Sequence, residues 1–186
     1  MNVQLPVHMD KPSFLAWLQG REGRYELVDG RVVMMVNATR AHGMIVSNLL
    51  VLLCNQLDPK IWTVIADFGL DAGPKTLRFP DLVVDRAGGS ATDYTATAPS
   101  LLIEVLSPST ARFDLGDKAS EFLRVPTLAA YVVLAQDEKK AWVWIREGES
   151  FPSGPRVIDD GNAVIQINAL KLALSFSEVY AGIEMD

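Results

Sequence analysis

The sequence predicts an α/β (α+β) protein: a mixed sheet with helices packed on it. Three observations lead there. From Ala41 onward the apolar patterns run helix, strand, strand, strand, helix, strand. Leu101–Leu106 is short and nearly all apolar, as expected of a strand buried on both faces. Asp29-Gly30 stands between two β-prone runs, which is the strongest short signal for a hairpin.

The elements follow in order. Asp10 to Leu18 reads as a short helix, with Asp10 as its cap, Pro12 early, and Gly20 as the stop. Tyr25–Val28 and Arg31–Val36 form the hairpin. Ala41–Leu57 is the long helix. Trp62–Leu70 and Leu77–Val84 read as strands joined by a turn-rich DAGPK, and Arg86–Ser100 as a loop. After Leu101–Leu106, Phe113–Arg124 reads as a helix that Pro126 stops. Ala129–Ala135 and Ala141–Arg146 are strands split by the charged turn Gln136–Lys140. Arg156–Ile158 and Val164–Ile167 are expected to pair at the sheet edge, and Leu174–Gly182 to close the chain as a helix.

Composition narrows the function. The chain has 186 residues, 49% hydrophobic and 22% charged, so it can bury enough surface to order itself. A single Cys excludes a disulfide scaffold; Cys54 reads as a small buried hydrophobe of the long helix. Ala41–Leu57 falls short of a membrane span and carries His42, Ser47, Asn48, Asn55 and Gln56. No signal peptide is recognisable, so a cytoplasmic location is expected, with no membrane partner. The net charge is −6, and much of the acidity lies in residues 147–186. The chain has no basic tail and no Lys/Arg cluster beyond Lys139-Lys140. That argues against tight, non-specific nucleic-acid binding as its main task. An enzyme that touches nucleic acid through a metal ion is still compatible.

Two carboxylates stand where carboxylates are costly. Asp81 lies in LRFPDLVV and Glu104 in LLIEVL. A buried carboxylate without a partner takes up a proton or draws in a cation. Side chains alternate along strands, so Asp81 shares a face with Phe79 and Val83, and Glu104 with Leu102 and Leu106. If the strands are neighbours, the carboxylates converge. At about 4 Å, two full charges repel by roughly 4 kcal/mol at an effective dielectric near 20. A divalent cation relieves this, and oxygen ligands with room for water suit Mg²⁺ or Mn²⁺. The bland alternatives are an edge-strand Asp81 facing solvent and a salt-bridged Glu104.

The chain resembles the Uma-two family of restriction-endonuclease-like proteins, within the PD-(D/E)XK nuclease superfamily. The resemblance rests on YELVDG (25–30), His42, FPDLVV (79–84), LLIEVLSPST (101–110), Asp114 with Lys118, and AAYVVL (129–134). It implies a restriction-endonuclease-like core of helix, three strands, helix and strand, joined to an N-terminal helix and β-hairpin. The expected organisation is one nuclease-like domain over 1–186: helix and hairpin in 1–36, core in 41–135, strands and short helix in 136–186. The superfamily's lysine, two residues after Glu104, is replaced by Leu106. In this family a downstream helical lysine takes the role, and the matching residue is Lys118, i,i+4 from Asp114. The alternative for Lys118 is an exposed partner of Asp114 or Glu121, and Asp114 itself reads as a helix cap.

Further candidates follow from the same resemblance. Glu26 is either a third catalytic carboxylate or a solvated hairpin residue. His42 reads as a packed or capping residue, with contact to a substrate phosphate as the alternative. With two His and no Cys/His cluster, zinc has little support. Tyr131, Trp142 and Trp144 alternate along strands and read as packing. The expected function is a Mg²⁺- or Mn²⁺-dependent endonuclease acting on DNA, active as a homodimer. Asp81, Glu104 and the Val105 carbonyl hold the ion, and Asp81, Glu104, Lys118 and Glu26 carry the chemistry. The competing reading is a nuclease-fold protein that binds nucleic acid or protein without cutting. Convergence of Asp81, Glu104 and Lys118 separates the two.

Overall fold

A computed structural model of the chain describes residues 8–35, 37–106 and 115–185. The N-terminal part is helix α1 (Lys11–Leu18) and the hairpin β1 (Tyr25–Val28) and β2 (Arg31–Met34). Asp10 caps α1 by accepting from the Ser13 N–H at 2.8 Å. Asp29 and Gly30 both take positive φ, 48° and 80°, as a two-residue turn matched to strand twist requires.

Helix α2 (Arg40–Gln56) follows, then β3 (Trp62–Ala66), β4 (Leu70–Gly73), β5 (Thr76–Arg78), β6 (Leu82–Arg86) and β7 (Leu101–Leu106). The remainder is α3 (Asp117–Phe122), β8 (Ala130–Ala135), β9 (Ala141–Ile145), β10 (Arg156–Ile158), β11 (Val164–Ile167), β12 (Leu172–Ser175) and α4 (Phe176–Val179). A six-stranded sheet has the order β10-β9-β8-β7-β6-β3, mixed because β7 and β8 run parallel. A four-stranded sheet has the order β2-β1-β5-β4. Strands β11 and β12 form a separate pair.

The six-stranded sheet is covered on both faces. On one, α2, α4 and the β11–β12 pair pack on Leu82, Val84, Leu101, Ile103, Val132 and Val143. On the other, Ala119 and Phe122 of α3 pack on Val83, Leu102, Leu106, Tyr131 and Val133. Every residue of β7 and β8 is buried, which accounts for their unbroken apolar runs. Tyr131 stacks on Trp144, so these aromatics serve packing, as their spacing predicts. Among the described residues no helix is long and apolar enough to cross a membrane.

Four expectations are corrected. The runs 62–70 and 77–84 are not single strands. Each bends: Asp67 takes φ 51°, and Pro80, lacking an N–H, cannot continue a ladder. The ribbon therefore serves two sheets, β3 and β6 in one and β4 and β5 in the other. The Arg156–Ile158 strand pairs with β9, while Val164–Ile167 pairs with β12. Leu172 and Leu174 are buried by alternation in a strand, so the last helix begins only at Phe176. Cys54 is exposed, because Ile45, Leu49 and Leu53 carry the buried stripe and the next residue is turned about 100° away. The helix of 113–124 is seen here from Asp117, and its first residues, with Asp114, lie outside the described residues.

At the bend, Gly69 bridges to Thr95, and an added Cβ would be driven into the Tyr94 carbonyl oxygen. Gly69→Ala is expected to cost about 2 kcal/mol or more through overpacking against backbone, measured by urea denaturation.

Candidate active site

The bend brings the predicted residues together. Leu82 pairs with Ile103, so the antiparallel register carried one residue on sets Asp81 opposite Glu104. Asp81 lies in the bend just before β6, not inside a strand as expected; Val83 and Leu102 pack in the α3-side cluster, so Asp81, two residues before Val83, and Glu104, two residues along β7, share that face. Asp81 Oδ2 accepts from the Val105 N–H at 2.8 Å. A residue's N–H and C=O leave a strand on the same edge, so the Val105 carbonyl is directed to the same side. Both carboxylates are buried, 7% exposed for Asp81 and 3% for Glu104.

Lys118 enters from α3. It is 6% exposed, and its Nζ lies 2.9 Å from Glu104 Oε1 and 3.5 Å from Glu26 Oε1. It is buried and not an exposed helix lysine; Glu121 pairs with Arg78, and Asp114 lies outside the described residues. Leu106, at the superfamily lysine position, packs in the core beside Ala119 and Phe122. The ammonium is thus delivered to Glu104 from a helix.

Glu26 is not a solvated hairpin residue. It is 4% exposed and accepts from Arg78 Nη1 at 3.0 Å and from the Phe79 N–H at 3.2 Å. Leu27 pairs with Leu77, so one step along the register places Arg78 across from Glu26. Arg78 also donates through Nε and Nη2 to Glu121 at 2.7 and 2.8 Å. Burial works against its charge, but Glu121 and Glu26 outweigh this and raise its pKa.

His42 does not merely cap α2; Thr39 does that, accepting from the His42 N–H. The His42 ring reaches the site, with Nε2 3.1 Å from Asp81 Oδ1. Burial pushes the Asp81 carboxyl up. The His42 hydrogen bond and charge, the Val105 N–H and the Lys118 ammonium outweigh it and hold the pKa below its ordinary value. The stability linked to this carboxylate is present above its unfolded pKa, about 3.9, and is lost as pH falls through the depressed folded value.

Three participants lie outside the pattern of carboxylates in apolar strands. Arg24 Nη2 donates to Asp67 Oδ1 at 2.6 Å and lies 3.8 Å from Asp81 Oδ1. Arg78 was legible in principle, since an Arg in an apolar strand beside Asp81 is as costly as the Asp. Asp67 carried no sequence signal. Counting Glu26, Asp67, Asp81, Glu104 and Glu121 against Arg24, Arg78 and Lys118, the described site has two more carboxylates than fixed cations. Among the described residues, no three His, Cys, Asp or Glu side chains are grouped as a ready metal cage.

The fold is that of an α+β protein of the nuclease-fold class. A solved structure with the same fold, described as "a putative nuclease belonging to DUF820" from Anabaena variabilis, superposes with a TM-score of 0.76. It covers 95% of this chain and 98% of its own at 18% identity. The chain belongs to the Uma2 family, described as "Putative restriction endonuclease", whose model matches residues 12–177. Two proteins of Synechocystis sp. are similar: slr1290, 29% identical over 127 residues, and sll1609, 28% identical over 116. The chain spans 66% of the length of each.

Proposed function

We propose that the protein is a metal-dependent endonuclease that hydrolyses phosphodiester bonds in DNA, residues 1–186 acting as one domain and two copies as a homodimer. The reading is carried by one observation: Glu104, Lys118 and Glu26, distant in sequence, meet buried at the strand ends, and Asp81 is tied to the same place through the Val105 N–H. A purely structural network would balance its charges. Among the described residues this one keeps an excess of two carboxylates, which a divalent cation would offset.

The donor set fits a hard ion. Asp81, Glu104 and the Val105 carbonyl offer oxygen only, and a partial protein shell completed by water is the habit of Mg²⁺. Once bound, such an ion would polarise a scissile phosphate and lower the pKa of a water. The chain's own residues do the rest. His42 and the Val105 N–H fix the Asp81 carboxylate. Lys118 stands beside Glu104, where as the ammonium it offsets charge gathering on phosphate oxygens, and as the neutral amine it takes the proton that the attacking water gives up. Glu26, itself held by Arg78 and the Phe79 N–H, orients that ammonium.

The test is direct. Purified protein is expected to cut duplex DNA with Mg²⁺ or Mn²⁺ and not with a chelator. The ion is also expected to raise the melting temperature; a ligand at 100 times its Kd stabilises by about 2.7 kcal/mol. Glu104→Gln should lose most of that shift. An equal shift in wild type and variant would mean the ion binds elsewhere, and absence of cleavage would leave only a nuclease-fold binding module.

A further inference from the structure

The two arginines described at the site are used differently. Arg78 commits Nε, Nη1 and Nη2 to carboxylates of its own chain. Arg24 commits Nη2 alone, to Asp67. Its Nε is buried and has no hydrogen-bond partner among the described residues. A buried donor left unpaired is uncompensated for the water it gave up, so it asks for an acceptor. The side chain is nevertheless 31% exposed, and Asp67, its present partner, is 48% exposed. The guanidinium therefore stands at the mouth of the site, within 3.8 Å of Asp81 Oδ1.

Its position relative to the other cation matters. Asp81 and Glu104 face each other across two strands. Lys118 flanks the Glu104 side and Arg24 the Asp81 side. An anion arriving over the carboxylate pair would meet strong repulsion unless a cation waited on each flank. A guanidinium also matches phosphate geometry, because two of its N–H groups can engage two oxygens at once.

We infer that Arg24 is a substrate-binding residue that takes a backbone phosphate of the nucleic acid, and that Asp67 holds it in reserve until the phosphate arrives. The inference rests on the nuclease reading above. In the bound state the guanidinium turns from Asp67 toward the phosphate, and Nε gains the acceptor it lacks. Asp67 is then a competitor for the guanidinium, not its helper. Its left-handed backbone, φ 51°, is one that Asn adopts readily, so Asp67→Asn removes the competing charge without straining the turn.

The experiment measures binding of a short DNA duplex, with Ca²⁺ replacing Mg²⁺ so that bound DNA is retained, across a series of salt concentrations. Arg24→Gln is expected to weaken binding about tenfold and to lower the log–log salt slope by about one, the mark of one lost phosphate contact. Arg24→Lys is expected to keep the slope. Asp67→Asn is expected to bind DNA at least as tightly as wild type. If Arg24 were only the structural partner of Asp67, Arg24→Gln and Asp67→Asn would weaken binding alike; that result overturns the inference. So does unchanged affinity and slope in Arg24→Gln when wild type binds and cuts DNA. Failure of wild type itself to bind or cut DNA would instead sink the nuclease reading, and this inference with it.

Discussion

Lys118→Met is expected to lower the rate of metal-dependent DNA cleavage by about 10²-fold or more, the scale for losing a positioned acid–base or electrostatic group. Met keeps the apolar stem packed in α3 and deletes only the charge. The same variant is expected to melt lower without metal, because Glu104 and Glu26 lose a cation 2.9 and 3.5 Å away. Added Mg²⁺ should then stabilise it by more than it stabilises wild type, since the carboxylates no longer share their charge with an ammonium. Lys118→Arg should not restore the rate, as a guanidinium stays protonated and has a different shape. Cleavage at the wild-type rate by a folded, metal-saturated Lys118→Met protein would refute the role given to Lys118. With Leu106 packed in the core, the site would then have no assigned lysine.

Arg78→Met is expected to destabilise the fold by about 3–5 kcal/mol, the range for breaking a buried ion pair from one side. Arg78 is 5% exposed and makes three charged hydrogen bonds to Glu26 and Glu121. Its loss leaves a carboxylate on β1 and another on α3 facing each other. Adding Glu121→Gln to the variant should recover part of the loss, because the worst repulsion is removed. Chemical denaturation of the single and double variants checks this. A loss below 1 kcal/mol would mean water reaches the network and screens it as it would a surface pair.

The sequence announced some of this and hid the rest, for physical reasons. Asp81 and Glu104 were visible because ionised groups in apolar strands are expensive. The hairpin was visible because positive φ at two successive residues restricts the choice of residue sharply. Burial alone does not make a carboxylate catalytic: Asp85, on the same strand as the site, is 5% exposed but satisfied by the Thr97 and Ala98 N–H groups. Glu26 and His42 look like ordinary surface residues until the ribbon bends at Asp67 and Pro80 and carries the four-stranded sheet beside α3. Pro80 did signal that break, since proline interrupts a ladder. Asp67 did not, because its backbone is set by tertiary contacts such as its N–H to the Asp81 carbonyl. At the C-terminus, LALS fits both a strand and a helix start, and only its partner strand decides between them.

The exposed thiol of Cys54 has a practical consequence. It is the chain's single cysteine and sits on the outer side of α2, whose first turn carries His42. Twelve residues of helix separate the two, about 18 Å along the axis. A maleimide dye placed there on the unaltered protein stands clear of the carboxylates. It is still within energy-transfer range of a fluorophore on DNA seated at the site, so arrival and release of DNA can be timed without engineering a new attachment point.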